Sequence, residues 1–224
     1  MTIQAVLFDM DGLLFNSEFM AIGASELAGA EQGYDISEPL FRSMLGTNKE
    51  KSTALLRAEL PQIDPAKYWS DFDKFMWKHV EEKGLPVKPC AEQLLKWLKE
   101  KDYVTGLCSG SPRHVVEGYL RVSGFDVYFD SVLAGDDDLS LRSKPAPDMY
   151  AHLAEKIGIL PGACLVLEDS PNGLRAGRAA GMQTVMVPDL VPYSEELAPY
   201  CDAVYPDLSY VIRYLERQTA CPCV

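Results

Sequence analysis

The sequence predicts an α/β fold: a parallel sheet with helices on both faces, plus an inserted all-helical domain. Three observations carry this. Short apolar runs rich in β-branched and aromatic residues recur along the chain, each with the length of a buried strand. Stretches with apolar residues at helical spacing separate most of these runs. One long interval, residues 16–85, holds helical patterns and no strand signal at all.

The first strand is expected at residues 5–8, where Ala-Val-Leu-Phe runs into Asp9-Met10-Asp11-Gly12. Helical patterns then occupy 18–30, 38–45, 49–60 and 68–82. That interval is too long for a loop and reads as a separate module. Lys83-Gly84-Leu85-Pro86-Val87 is its hinge-like exit. Beyond it, strands are expected at 104–108, 132–134, 164–167 and 184–187, with a possible edge at 203–205. Helices are expected at 91–101, 113–123, 148–157 and 173–180. Such alternation implies crossover units and a Rossmann-like sheet. Residues 1–15 and 86–224 form its core domain and residues 16–85 the inserted helical domain.

Composition narrows the function classes. With 224 residues, 47% hydrophobic and 24% charged, the chain can bury one substantial core and a smaller second one, so disorder is not expected. A net charge of −12 argues against nucleic acid or an anionic membrane as partner. No apolar run approaches the roughly 20 residues of a membrane span, and Met1-Thr2-Ile3-Gln4 lacks the basic start of a signal peptide. The expectation is a cytoplasmic protein. A monomer is the default, for want of a heptad or an apolar stripe. Cys108 and Cys164 sit in apolar runs and read as inert core thiols, and Cys221-Pro222-Cys223 as a reduced tail.

Four polar segments stand at or just after strand ends. They are Asp9-Met10-Asp11-Gly12, Ser109-Gly110-Ser111-Pro112, Lys144-Pro145-Ala146-Pro147-Asp148 and Glu168-Asp169-Ser170. Ligands of open parallel sheets bind outside the carboxyl ends of the strands, so these segments should converge. Each has a plainer explanation: loop acids, Ser111 as a helix N-cap before proline, a solvated lysine, or acids beside a helix's positive end. Two carboxylates closing a buried strand repel each other and resist desolvation. A chain tolerates that when a cation binds there, or when one carboxylate must attack something.

These four segments, in this order, together with Gly173, Ala176, Ala180 and Gly181-Met182 after the last, resemble the haloacid dehalogenase-like phosphotransferase superfamily. The branch it is similar to contains β-phosphoglucomutase and small-metabolite phosphatases. The resemblance implies that Asp9 is the nucleophile and Asp11 the general acid/base. It implies that Ser109 and Lys144 hold the phosphoryl group. Asp169 would ligate Mg²⁺ with Asp9 and the backbone carbonyl of Asp11, with Glu168 a direct or indirect ligand. The inserted helices would be a cap that closes over the site. Oxygen ligands suit Mg²⁺, and Mg²⁺ with Lys144 would meet the charge of a phosphoryl transition state. Attack by Asp9 would split one displacement into two. Proton transfer by Asp11 is worth roughly 10²- to 10⁴-fold.

Within that family the residues favour a Mg²⁺-dependent phosphatase acting on a small phosphorylated sugar, polyol or nucleotide monophosphate. Dehalogenation needs no metal and leaves Asp11 and the Glu168-Asp169 pair unexplained. Phosphonate hydrolysis needs a cap lysine in a Schiff base, and Lys49, Lys51 and Lys78 read as surface lysines. The alternative is a phosphosugar mutase. That branch carries a histidine where Phe19-Met20-Ala21 stand and a lysine at the position of Leu45, and Lys49 stands near the place of its arginine. A non-catalytic binding relative would have lost a motif residue, and none is lost. Substrate choice is expected from the loop Gly46, Thr47, Asn48 and Lys49, with Gly110, Ser111 and Arg113 contacting a second anion or a hydroxyl.

Overall fold

The structure, a computed structural model, describes residues 2–44, 47 and 49–219. Gly46 and Asn48 of the expected specificity loop, and the Cys-Pro-Cys tail, lie outside the described residues.

The chain divides into two compact units, residues 1–15 with 87–224, and residues 16–86. In the first, β1 (Ala5–Phe8), β2 (Val104–Cys108), β3 (Ser131–Leu133), β4 (Cys164–Glu168), β5 (Gln183–Met186) and β6 (Ala203–Val204) form one sheet in the order β3-β2-β1-β4-β5-β6. Every pairing is parallel. Each residue of β1 and β4 is buried, which explains why these strands read as continuous apolar runs rather than alternating ones. The order reverses at β1, with β2 on one side and β4 on the other, so the crevice past the end of β1 is the switch point of the sheet.

In the second unit, α1 (Ser17–Ala30), α2 (Glu38–Met44), α3 (Lys49–Glu59) and α4 (Pro65–Lys83) surround their own core of Ala28, Leu40, Phe41, Leu56, Ile63 and Tyr68. The Tyr68 hydroxyl is matched by Ser25 Oγ at 2.6 Å, so this buried phenol costs nothing in unmade bonds. Asp64 caps α4 by accepting from the amides of Ala66 and Lys67, with Pro65 at the first helical position.

The first unit continues with α5 (Ala91–Glu100), α6 (Arg113–Ser123), α7 (Asp148–Ile157), α8 (Pro171–Ala179) and α9 (Ser209–Thr219). Helices α7 and α8 pack on each other and share a core with β1, β2 and β4 through Leu7, Cys108, Tyr150, Leu153, Val166 and Ala176. Helix α9 had no counterpart in the sequence reading. It packs on α5, and Leu208, Val211 and Leu215 are buried at spacings a helix would give, a short signal easily passed over near a chain end. Burial pushes the Cys108 thiol up to about 12 and that of Cys164 to about 11, which keeps both thiols protonated.

Candidate active site

Sheet register brings the first acids together. Phe8 pairs with Leu107 on one side and Leu167 on the other, so Asp9 and Glu168 follow at the same level of adjacent parallel strands. Side chains at one level of neighbouring parallel strands point to the same face. The ladder continues past β1, since the Asp9 amide donates to the Leu167 carbonyl at 3.0 Å. Carboxylate oxygens of Asp9, Glu168 and Asp169 consequently lie within 4.8 Å of one another, all three residues buried.

Lys144 enters this cluster from the loop before α7, after which the Lys144–Pro145 peptide is cis. Its Nζ donates to Asp9 Oδ1 at 2.5 Å, to Glu168 Oε1 at 2.6 Å and to the Cys108 carbonyl at 2.9 Å. Burial alone would lower the lysine, but the carboxylates of Asp9 and Glu168 raise it well above its usual range, so it remains a cation. Asp9 moves the other way from an ordinary carboxyl. Burial first, then the charge of Glu168, raise it to about 8 against the pull of Lys144.

Glu168 is fully buried and engaged at both oxygens. Tyr150 OH donates to Oε1 at 2.7 Å, and Ser170 Oγ donates to Oε2 at 2.9 Å. The same Ser170 Oγ accepts from the Gly173 amide at 3.1 Å and so caps α8. Gly173 explains itself here: a Cβ at this position would lie 1.8 Å from the Glu168 carboxyl carbon. Lys144 Nζ also sits 4.7 Å from the centre of the Tyr150 ring, a cation–π contact. Tyr150 thus touches both members of the buried ion pair.

Asp11 is held separately. Ser111 Oγ donates to its Oδ2 at 2.8 Å, and Ser109 Oγ approaches the same oxygen at 3.4 Å. Gly12, at φ +82°, turns the backbone where a Cβ would lie 2.3 Å from Asp169 Oδ2. The turn needs a left-handed residue, and the close approach of Asp169 needs one without a side chain.

Several expected contacts fall elsewhere. Arg113, expected beside a second anion, does not leave its guanidinium free here: it bonds to Asp137 through Nε, at 2.7 Å, and Nη2, and Nη2 also meets the Val132 carbonyl at 3.2 Å. Ser111 does not cap α6 either. Its hydroxyl is on Asp11, and Asp136 Oδ1 accepts the Arg113 amide at 2.7 Å instead. Gly110, between the two serines, is exposed. In the helical unit Thr47 Oγ1 is bonded to the Met44 carbonyl at 2.8 Å and to Ser52 Oγ at 2.7 Å, and Lys49 lies over the Trp69 ring.

Two residues were missed. Tyr150 lies in the helical pattern of 148–157, and no sequence pattern distinguishes its hydroxyl. Asp189 was not singled out, although Val187-Pro188-Asp189 follows β5 as the other acids follow their strands, and that position is a usable signal. Lys88 Nζ donates to Asp189 Oδ1 at 2.6 Å.

The donor set suits a hard divalent cation. Lys144 brings one positive charge against Asp9, Glu168 and Asp169, and burial followed by the charge of Glu168 already holds Asp9 above the usual carboxyl range. Carboxylate oxygens without cysteine or histidine in the cluster favour Mg²⁺ over softer metals.

A parallel sheet with acids and a buried lysine converging at its switch point defines an α/β enzyme site for an anionic substrate. Comparison with known proteins names the family. The model of haloacid dehalogenase-like hydrolases matches residues 3–181, and the chain belongs to that family. It is 33% identical over 189 residues to hexitol phosphatase B of Escherichia coli, covering 83% of this chain and 84% of that protein. It is 26% identical over 183 residues to the phosphorylated carbohydrates phosphatase of Thermotoga maritima, covering 82% of this chain and 84% of that one. The crystal structure of CbbY from Rhodobacter sphaeroides in complex with phosphate superposes with a TM-score of 0.80 at 26% identity, covering 92% of this chain and 95% of that one. Among the described residues no helix is long and apolar enough to cross a membrane.

Proposed function

We propose that the chain is a Mg²⁺-dependent phosphatase that hydrolyses a small phosphorylated metabolite, of the sugar, polyol or nucleotide class, through an aspartyl-phosphate on Asp9. The observation that carries this reading is the buried Asp9–Lys144–Glu168 triad beside Asp169. Relatives named as sugar and hexitol phosphatases support the substrate class.

In the proposed cycle an Asp9 oxygen bonds to phosphorus as the ester P–O bond breaks, and the departing alkoxide takes a proton from Asp11. Water then attacks the acyl phosphate while Asp11 removes its proton, and inorganic phosphate leaves with the Asp9 carboxylate restored. Ser111 aims the Asp11 carboxyl through its 2.8 Å bond. Lys144, kept cationic by Asp9 and Glu168, faces the phosphoryl oxygens and offsets their charge. Mg²⁺ held by Asp9, Asp169 and the Asp11 carbonyl would add positive charge on the same oxygens. Both Glu168 oxygens already accept protein donors, so we assign Glu168 to holding the lysine rather than the metal directly. These groups see only the phosphoryl end, so discrimination between metabolites falls to residues beyond them.

Asp9→Asn tests the nucleophile. The variant should lose hydrolysis of p-nitrophenyl phosphate and covalent labelling by phosphate, both of which should need Mg²⁺ in the wild type. Retention of most wild-type turnover would refute the assignment. A phosphometabolite panel run with and without glucose 1,6-bisphosphate separates the phosphatase from a mutase, which alone would need the bisphosphate.

A further inference from the structure

Beside the acidic cluster, among the described residues, lies a buried carboxylate oxygen that the proposed chemistry does not use. Asp189 lies on the loop after β5, and its Oδ1 is neutralised by Lys88. Its other oxygen, Oδ2, is buried and has no hydrogen-bond partner among the described residues. Buried carboxylate oxygens are seldom left unpaired, because water is lost and nothing replaces it. This one faces the acidic cluster. A Cβ at Gly12 would lie 2.3 Å from Asp169 Oδ2 and 3.4 Å from Asp189 Oδ2, so the two carboxylates border the same small space over the Gly12 turn. Like charges placed together in this way repel, unless a cation and its water occupy the space between.

We infer that Asp189 is a positioning residue for the bound cation: its Oδ2 accepts a hydrogen bond from a water that Mg²⁺ carries beside Asp169, while Lys88 fixes the carboxylate from behind. This rests on the Mg²⁺ reading above. It adds a residue from a fifth strand end to the four polar segments already described. Outer partners of this kind orient what the metal holds, and their loss typically costs about 10- to 100-fold in metal affinity or activity. Lys88 is two residues past the exit from the helical unit and its amide donates to the Leu14 carbonyl at 2.9 Å, so the brace starts from fixed backbone.

The test is calorimetric Mg²⁺ binding to the full chain, without substrate, for the wild type, Asp189→Asn and Lys88→Met. Melting in EDTA checks that each variant folds. Asp189→Asn keeps the size and one acceptor but removes the charge, and should raise the Mg²⁺ Kd about tenfold. Lys88→Met removes a positive charge beside the cation and should lower the Kd about threefold or more. A simple structural brace would be broken by either change, and both would then shift the Kd the same way or not at all. Either of those results overturns the role of Asp189 and leaves the metal reading standing. A wild type with no Mg²⁺ binding would overturn both.

Discussion

Gly173→Ala sets two calculable effects against each other. Gly173 lies in the first turn of α8, within a helix that alanine favours by about 1 kcal/mol. Propensity alone therefore predicts a more stable protein. The new methyl would, however, stand 1.8 Å from the Glu168 carboxyl carbon and from Oε1, and 2.2 Å from Oε2. Ordinary contact begins near 3.4 Å, so the carboxylate must move by well over an ångström. A free glutamate tip would swing aside cheaply. This one is fully buried and held by Lys144, Tyr150 and Ser170, so displacing it breaks a buried ion pair. Breaking such a pair costs about 3–5 kcal/mol. The balance is about 2–4 kcal/mol of lost stability, and at about 2–4 °C per kcal/mol for a chain of this size the melting temperature should fall by about 4–16 °C. Lys144 would lose its second anchor and turnover should drop with it. The control is Gly23→Ala in α1, where a Cβ meets no described atom within 4 Å and the same propensity gain is unopposed. Thermal melts by circular dichroism and phosphate release measure both. A Gly173→Ala protein as stable and active as the wild type would refute the claim that Glu168 is held rigidly against α8.

Tyr150→Phe removes one donor from Glu168 and keeps the ring under Lys144; a hydrogen bond to a charged group is worth about 1.5–3 kcal/mol, so the melting temperature should drop while kcat falls more than KM rises. Arg113→Met should destabilise α6 by about 1 kcal/mol and leave KM unchanged in steady-state kinetics, because its guanidinium belongs to Asp137. The pH dependence follows from the same pair. Burial would raise Asp137, but its bonds from Arg113 and the Ala134 amide hold it below the ordinary 3.8. A carboxyl depressed in the folded state adds stability above pH 3.8 that is lost as pH falls through its lower folded value. Asp137→Asn should consequently flatten the acid limb of urea-derived stability below about pH 4, and an unchanged limb would count against the pairing.

Much of the fold was legible because it rests on local rules. Continuous apolar runs marked β1, β2 and β4, whose two faces are both covered, and helical spacing marked α5 to α8. Residues 16–85 stood apart in the sequence by the lack of any strand pattern. The strand starts were harder: β3 and β5 each begin one residue earlier than expected, since pairing rather than composition sets where they start. The polar segments were also readable, because buried strands that end in acids, serines or a glycine conflict with their own apolar pattern.

What the sequence determined by itself was which residues stand at strand ends, and hence which could meet. Their partners were decided only in three dimensions. Arg113 stands two residues after Ser111 in the chain, yet only the fold shows that the loop after β3 brings Asp137 to its guanidinium. Tyr150 and Glu168 are joined by a bond between residues on different elements, and nothing in the run around Tyr150 encodes it. Asp9 and Glu168 are neighbours because β1 and β4 pair in register, a long-range fact that no window of sequence contains. The reason is physical: strands and helices follow from side-chain periodicity within a few residues, whereas the charge state of Asp9, the hold on Lys144 and the unpaired oxygen of Asp189 follow from burial and from groups far off in the chain, such as Lys144 and Glu168 for Asp9.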